Sequence, residues 1–169
     1  MYRFMTTLLL GAALVLPALA QEDGVPPALV DHWKTSKKYM LALAEQMPAD
    51  GYAFKPNPAE MSFGEQMAHI AGSNAFFFAT LSGQKNPIAK PANFEKATVL
   101  KMLNDSYDFS IAALAGLKHE SMFQTFDAEG GKMTGMELLL LAGDHTAHHR
   151  GQCIVYLRAK NIKPVDYQF

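Results

Sequence analysis

The chain has 169 residues, 15 basic and 16 acidic side chains, a net charge of −1 and 49% apolar residues. Nothing basic is clustered, which excludes the usual footprints for nucleic acid and for an anionic membrane surface. The single cysteine, Cys153, excludes an internal disulfide.

The first twenty residues read as a processing signal. Arg3 supplies a positive start, Leu8 to Leu16 an apolar run, and Ala18-Leu19-Ala20 a small-x-small cleavage site. The run is too short to cross a bilayer of ~30 Å as a helix. The residue immediately after the site is Gln21 and not a cysteine, which argues against a lipid anchor. The expectation is a periplasmic or secreted protein that starts near Gln21, with no stable membrane insertion after cleavage. Residues 21–169 then form one domain of 149 residues with a net charge of −2.

Four helical segments follow. The first runs from Pro27, a favoured first-turn residue, to Met47, with Leu29, Val30, Trp33, Met40, Ala44 and Met47 on one stripe. Pro48 to Met61 reads as a loop. Ser62-Phe63-Gly64-Glu65 is a capping box that opens the second helix, which reaches Leu81 before Gly83. Gln84 to Asn93, with Pro87 and Pro91, is a second loop. The third helix spans Lys96 to Leu117, with Leu103, Tyr107 and Leu114 inward. Phe123 to Met133, around Asp127-Ala128-Glu129-Gly130-Gly131, fits a short β-hairpin. Thr134-Gly135-Met136-Glu137 is another capping box, opening a fourth helix that ends near Ala159. The fold class is therefore all-α, a four-helix bundle with long connections. Links of about 14 residues span ~45 Å when extended, longer than a twenty-residue helix of ~30 Å, so a crossover is allowed and the topology stays open.

The richest stretch is Asp144-His145-Thr146-Ala147-His148-His149-Arg150-Gly151-Gln152. Residues four apart share a helix face, so His145 and His149 aim at one point. At 100° per residue, Leu138, Leu141, His145, His149, Gln152 and Tyr156 form a stripe about 80° wide, with Arg150 opposite. A stripe that is apolar at its start and imidazole in the middle faces a core, where ring nitrogens need partners. His148 competes with His149 for the pairing with His145, on a three-residue spacing. A third ligand must come from elsewhere. His32 flanks the first helix's stripe and His119 lies past the third helix. His69 lies on a mixed stripe of the second helix with Ser62, Glu65, Ser73, Phe76 and Thr80, the pattern of a helix bordering a pocket.

The chain resembles the DinB-like superfamily of metal-binding four-helix bundles. The matching features are Tyr52 and Phe54-Lys55-Pro56 before the second helix, Ser62-Phe63-Gly64-Glu65, His69, and His145-Thr146-Ala147-His148-His149-Arg150-Gly151-Gln152. The resemblance covers essentially the whole mature chain. It implies His69, His145 and His149 as metal ligands and helices joined with a crossover. Some relatives are thiol-cofactor-dependent transferases or isomerases; this chain differs in carrying an export signal, whereas such cofactors are cytosolic.

Three neutral imidazoles leave an ion's charge uncompensated and a coordination position open, the layout of a catalytic zinc site. Zinc suits this donor set best, and nickel, iron or copper also fit. Gln152 and Tyr156, further along the histidine stripe, are candidates for orienting substrate or a water beyond the ligands. The expected function is an exported, divalent-metal-dependent hydrolase or transferase on a small-molecule substrate. The alternative is a non-catalytic metal-binding or stress-related helical bundle, and a plain bundle with core histidines is the third reading. A cavity lined by Trp33, Phe76 or Tyr156 beside the ion would favour the enzyme. A homodimer stays open.

Overall fold

The computed structural model describes residues 23–128 and 130–168. The expected leader, residues 1–20, and the expected start at Gln21 lie outside them, as does Glu129 in the hairpin turn.

Four helices carry the fold: α1 (Pro27–Gln46), α2 (Phe63–Ser82), α3 (Lys96–Ala115) and α4 (Gly135–Ala159). Both capping boxes form. The Ser62 amide donates to Glu65 at 2.6 Å and the Glu65 amide to the Ser62 hydroxyl at 3.2 Å. Thr134 and Glu137 repeat the exchange at 2.7 and 3.3 Å. Each box satisfies amides that a helix start leaves unpaired. Gly83, at φ 67, ends α2 in the left-handed conformation that glycine adopts without strain.

The link after α1 is more ordered than a plain loop. Residues Ala49–Ala53 form a 3-10 turn, and the buried Tyr52 donates its hydroxyl to the Ala44 carbonyl at 2.8 Å. The hairpin pairs β1 (Thr125–Ala128) with β2 (Gly131–Thr134), Thr125 facing Thr134 and Ala128 facing Gly131. It packs β1 on α2 and β2 on α4.

Contacts across the bundle fix the topology. Ser36 and Lys37 of α1 meet Tyr107 and Asp108 of α3, and Glu45 meets Lys96, so α1 and α3 are antiparallel. Met61, Gln66 and Asn74 meet Tyr156, Gln152 and Thr146 in turn, so α2 and α4 are antiparallel too. In contrast, Gly64 lies against Phe94, and Ala71 accepts a hydrogen bond from Ser106 at 2.6 Å, so α2 and α3 run parallel. Residues 83–95 must therefore travel the length of the bundle to reconnect them. This is the crossover, and it forms a strap beside α2. The strap comes close at Gly64: a Cβ there would sit 2.3 Å from the Phe94 carbonyl oxygen.

The core joins all four helices. Trp33 sits edge-on to Phe78 with ring centres 4.6 Å apart and lies 6.0 Å from Tyr107. Met40, Leu43, Phe63, Ile70, Leu103 and Leu157 are fully buried around them. Leu29 and Val30, from the expected stripe of the first helix, are only partly buried. No helix among the described residues is long and apolar enough to cross a membrane.

Candidate metal centre

The antiparallel α2–α4 pairing brings the three expected imidazoles together. His69 Nε2 lies 3.0 Å from His145 Nε2, and the candidate ligand atoms of His69, His145 and His149 all lie within 4.8 Å of one another. Ring centres are 4.5 to 4.8 Å apart. Zn–N bonds of about 2.0–2.1 Å in a tetrahedron require nitrogens about 3.3 Å apart, so small side-chain adjustments would suffice.

The chemistry of the donor set fits an ion. His149 Nδ1 lies 2.6 Å from Gln66 Oε1, and an amide oxygen can only accept. His149 therefore carries its proton on Nδ1 and turns the Nε2 lone pair toward the other two rings. The His145 Nδ1 is buried without a partner, which leaves Nε2 as the atom through which that ring meets polar groups. Burial lowers the pKa of all three rings, and the neighbouring imidazoles add to the effect on His145 and His149. His149 is pushed down to about 4. All three are neutral at pH 7, the form in which histidine binds metal.

The candidates Gln152 and Tyr156 sit behind His149. Gln66 Nε2 donates to Gln152 Oε1 at 2.5 Å and approaches the Tyr156 hydroxyl at 3.5 Å. Tyr156 donates to the Met61 carbonyl at 2.7 Å. Both thus act on the site through Gln66, which the sequence reading did not single out. A signal existed: Gln66 is one turn before His69, on the face that meets α4. Glu65, which shared that spacing, serves the capping box. His148 is exposed and pairs with Gln152 at 2.9 Å, outside the triad. Cys153 is buried and burial pushes its thiol pKa up, so it is an inert core residue.

A cavity of about 720 Å³ adjoins the triad, with His69 and His145 in its wall. Phe76 lines it, as expected. Trp33 and Tyr156 do not: Trp33 is in the central core, and the Tyr156 hydroxyl is tied to Met61. The lining also takes in Ile88 to Pro91 and Phe94 of the strap, Ala128 of the hairpin and Leu141 of α4.

A crossover helical bundle with three imidazoles converging from two helices onto a cavity defines a class of candidate metalloprotein. The chain belongs to the DinB superfamily, whose family model matches residues 32–153. It is 33% identical over 135 residues to the uncharacterized protein YjoA of Bacillus subtilis (strain 168), covering 77% of this chain and 87% of YjoA. The crystal structure of that DinB-like protein superposes with a TM-score of 0.71 at 28% identity, over 83% of this chain and 96% of that one. A DinB-like protein from Bacillus cereus ATCC 10987 shares the fold at a TM-score of 0.70 and 16% identity, with the same coverage.

Proposed function

We propose that this chain is an exported, divalent-metal-dependent hydrolase or transferase acting on a small molecule, with His69, His145 and His149 as the ligands. The observation that carries the reading is the triad's position: two of its three rings form part of the wall of a 720 Å³ cavity, so a molecule in the cavity reaches the centre. A bound ion supplies Lewis acidity, polarising an oxygen or sulfur and lowering the pKa of a group it holds. The chain's own residues do the rest. Gln66 holds the His149 ring in one tautomer, and Gln152 and Tyr156 hold Gln66. Zinc is the first candidate, and nickel, iron and copper take the same donors. Export rests on Arg3, the Leu8–Leu16 run and Ala18-Leu19-Ala20. Mass spectrometry of exported material should find a start at or next to Gln21.

One observation favours a non-catalytic metal-binding role instead. Glu65, the one carboxylate lining the cavity among the described residues, is held by the Ser62 amide and by Lys55 at 3.4 Å, so no carboxylate is spare as a general base. Elemental analysis of the purified protein, followed by a panel of esters, amides, lactones and thiol–acceptor pairs, separates the readings. Turnover that needs restored metal and vanishes in His149→Ala supports the enzyme. Stoichiometric metal with no turnover on any substrate supports the binding role, and equal rates with and without metal remove the ion from the chemistry.

A further inference from the structure

The cavity is a groove with a direction. Along α2 its lining runs from Glu65 to Phe77, a rise of ~18 Å, with Met61 just before the helix. At mid-length lie His69 and Ser73 on α2, with His145 facing them from α4, and Lys90 of the strap adds one cation to the lining. Both ends are apolar. Met61 lies at one end with Phe94, which packs beside Gly64; Phe76, Phe77 and Leu141 form the other. Glu65, at the first end, has its charge taken up by Ser62 and Lys55. Phe76, Phe94 and Leu141 are 41%, 39% and 37% exposed. Three large apolar side chains left part-open around one cavity of ligand size are the mark of a surface that waits for an apolar partner.

We infer that the groove takes an elongated small molecule with an apolar group on each side of a central metal-binding polar function, and that Phe94 and Phe76 read its two ends. The central contact rests on the metal reading above, whereas the two apolar contacts do not. A molecule that is polar along its whole length, such as a sugar, would leave both apolar ends of the groove unsatisfied.

The test is calorimetric titration of the zinc-loaded full chain with three hydroxamates that share one chelating head. N-phenylbenzohydroxamic acid has a ring on both sides, benzohydroxamic acid on one, and acetohydroxamic acid on neither. Each ring should tighten binding by on the order of tenfold, the effect of burying part of an aromatic surface. Phe76→Ser and Phe94→Ser change part-exposed positions, so the fold survives, which circular dichroism checks. Each variant should cost the two-ring compound about that same factor and leave acetohydroxamic acid unchanged. A parallel titration with benzanilide and benzamide, which do not chelate, separates the two readings. If zinc is not retained yet benzanilide binds more tightly than benzamide, and each serine variant weakens it, the groove stands and the metal reading falls. If zinc is retained but the three hydroxamates bind alike, or the serine variants change nothing, the groove inference is overturned while the metal reading stands.

Discussion

The α1–α3 seam and the α2–α4 seam of this bundle are built from different materials. Between α1 and α3, Trp33, Met40, Leu103 and Tyr107 pack an apolar interior, with one buried hydrogen bond, Ser36 to Tyr107 at 3.1 Å. The charges, Lys37–Asp108 and Lys96–Glu45, stay at its edge, where such pairs contribute little. Between α2 and α4 a polar ladder runs from Met61–Tyr156 through Gln66–Gln152 and His69–His145 to Asn74–Thr146. The two buried side-chain atoms without a partner among the described residues, Asn74 Nδ2 and His145 Nδ1, both lie on that seam. A buried hydrogen bond adds only about 1 kcal/mol net, and an unmet polar atom costs about 1–3 kcal/mol. Packing alone would not select such a ladder. One seam holds the protein together; the other holds three imidazoles in place.

That division predicts opposite phenotypes. Trp33→Ala, on the apolar side, should cost about 3–5 kcal/mol in denaturant unfolding, the largest effect expected. His149→Ala should change stability far less in metal-free protein, yet remove most of the bound metal. His69→Ala should act in the same way, being the most exposed of the three rings. His148→Ala should leave metal content unchanged. If His148→Ala strips metal while His149→Ala does not, the assignment of the ligands along α4 is wrong.

What the sequence showed, and what it hid, follows the range of the interactions involved. Both capping boxes and the His145/His149 pair were legible because their partners lie three or four residues apart on one helix. The hairpin was legible from its glycines. His69 could be nominated from its mixed stripe. Gln66 was missed because its role exists only once antiparallel pairing lays it against His149. The direction of α3 was open because a thirteen-residue link can either turn back or run the length of its helix. The cavity wall was hidden for the same reason, since the strap forms it. Trp33 looked available for a pocket, but periodicity shows only that a face is inward, not which interior it meets.

Gln66 tests the second seam at its centre. Gln66→Ala should weaken metal binding by about 10–100-fold, as losing an orienting partner of a ligand usually does. Gln66→Glu, which still accepts from Nδ1, should restore it. If Gln66→Ala binds metal normally, the ladder behind His149 has no bearing on the site. Acid sharpens the same point. The three rings have folded-state pKa values below their ordinary value of about 6.5, His149 near 4, so the unfolded chain binds more protons than the folded one across this window. The stability of metal-free protein should be full above pH 6.5 and fall as pH drops toward 4. His149→Gln should flatten that slope, which scanning calorimetry from pH 7 to 4 would show. An unchanged slope would place the titrating groups elsewhere, first of all on His69 and His145.

The smallest expected effect asks whether the polar ladder is needed for folding beyond the site. Thr146, next to His145 on α4, donates to Asn74 at 2.8 Å, and both are buried. Asn74→Leu alone strands the Thr146 hydroxyl. That hydroxyl can turn back to its own helix, so the cost should be only about 1–2 kcal/mol. Asn74→Leu with Thr146→Val removes donor and acceptor together, and Tyr107 keeps its bond to Ser36. The double variant should lie within about 1 kcal/mol of the parent, because donor and acceptor leave together. A double variant that loses as much as the two single variants added together would mean that shape, rather than hydrogen bonding, sets this part of the seam. The contrast between the two seams would then stop at the histidines.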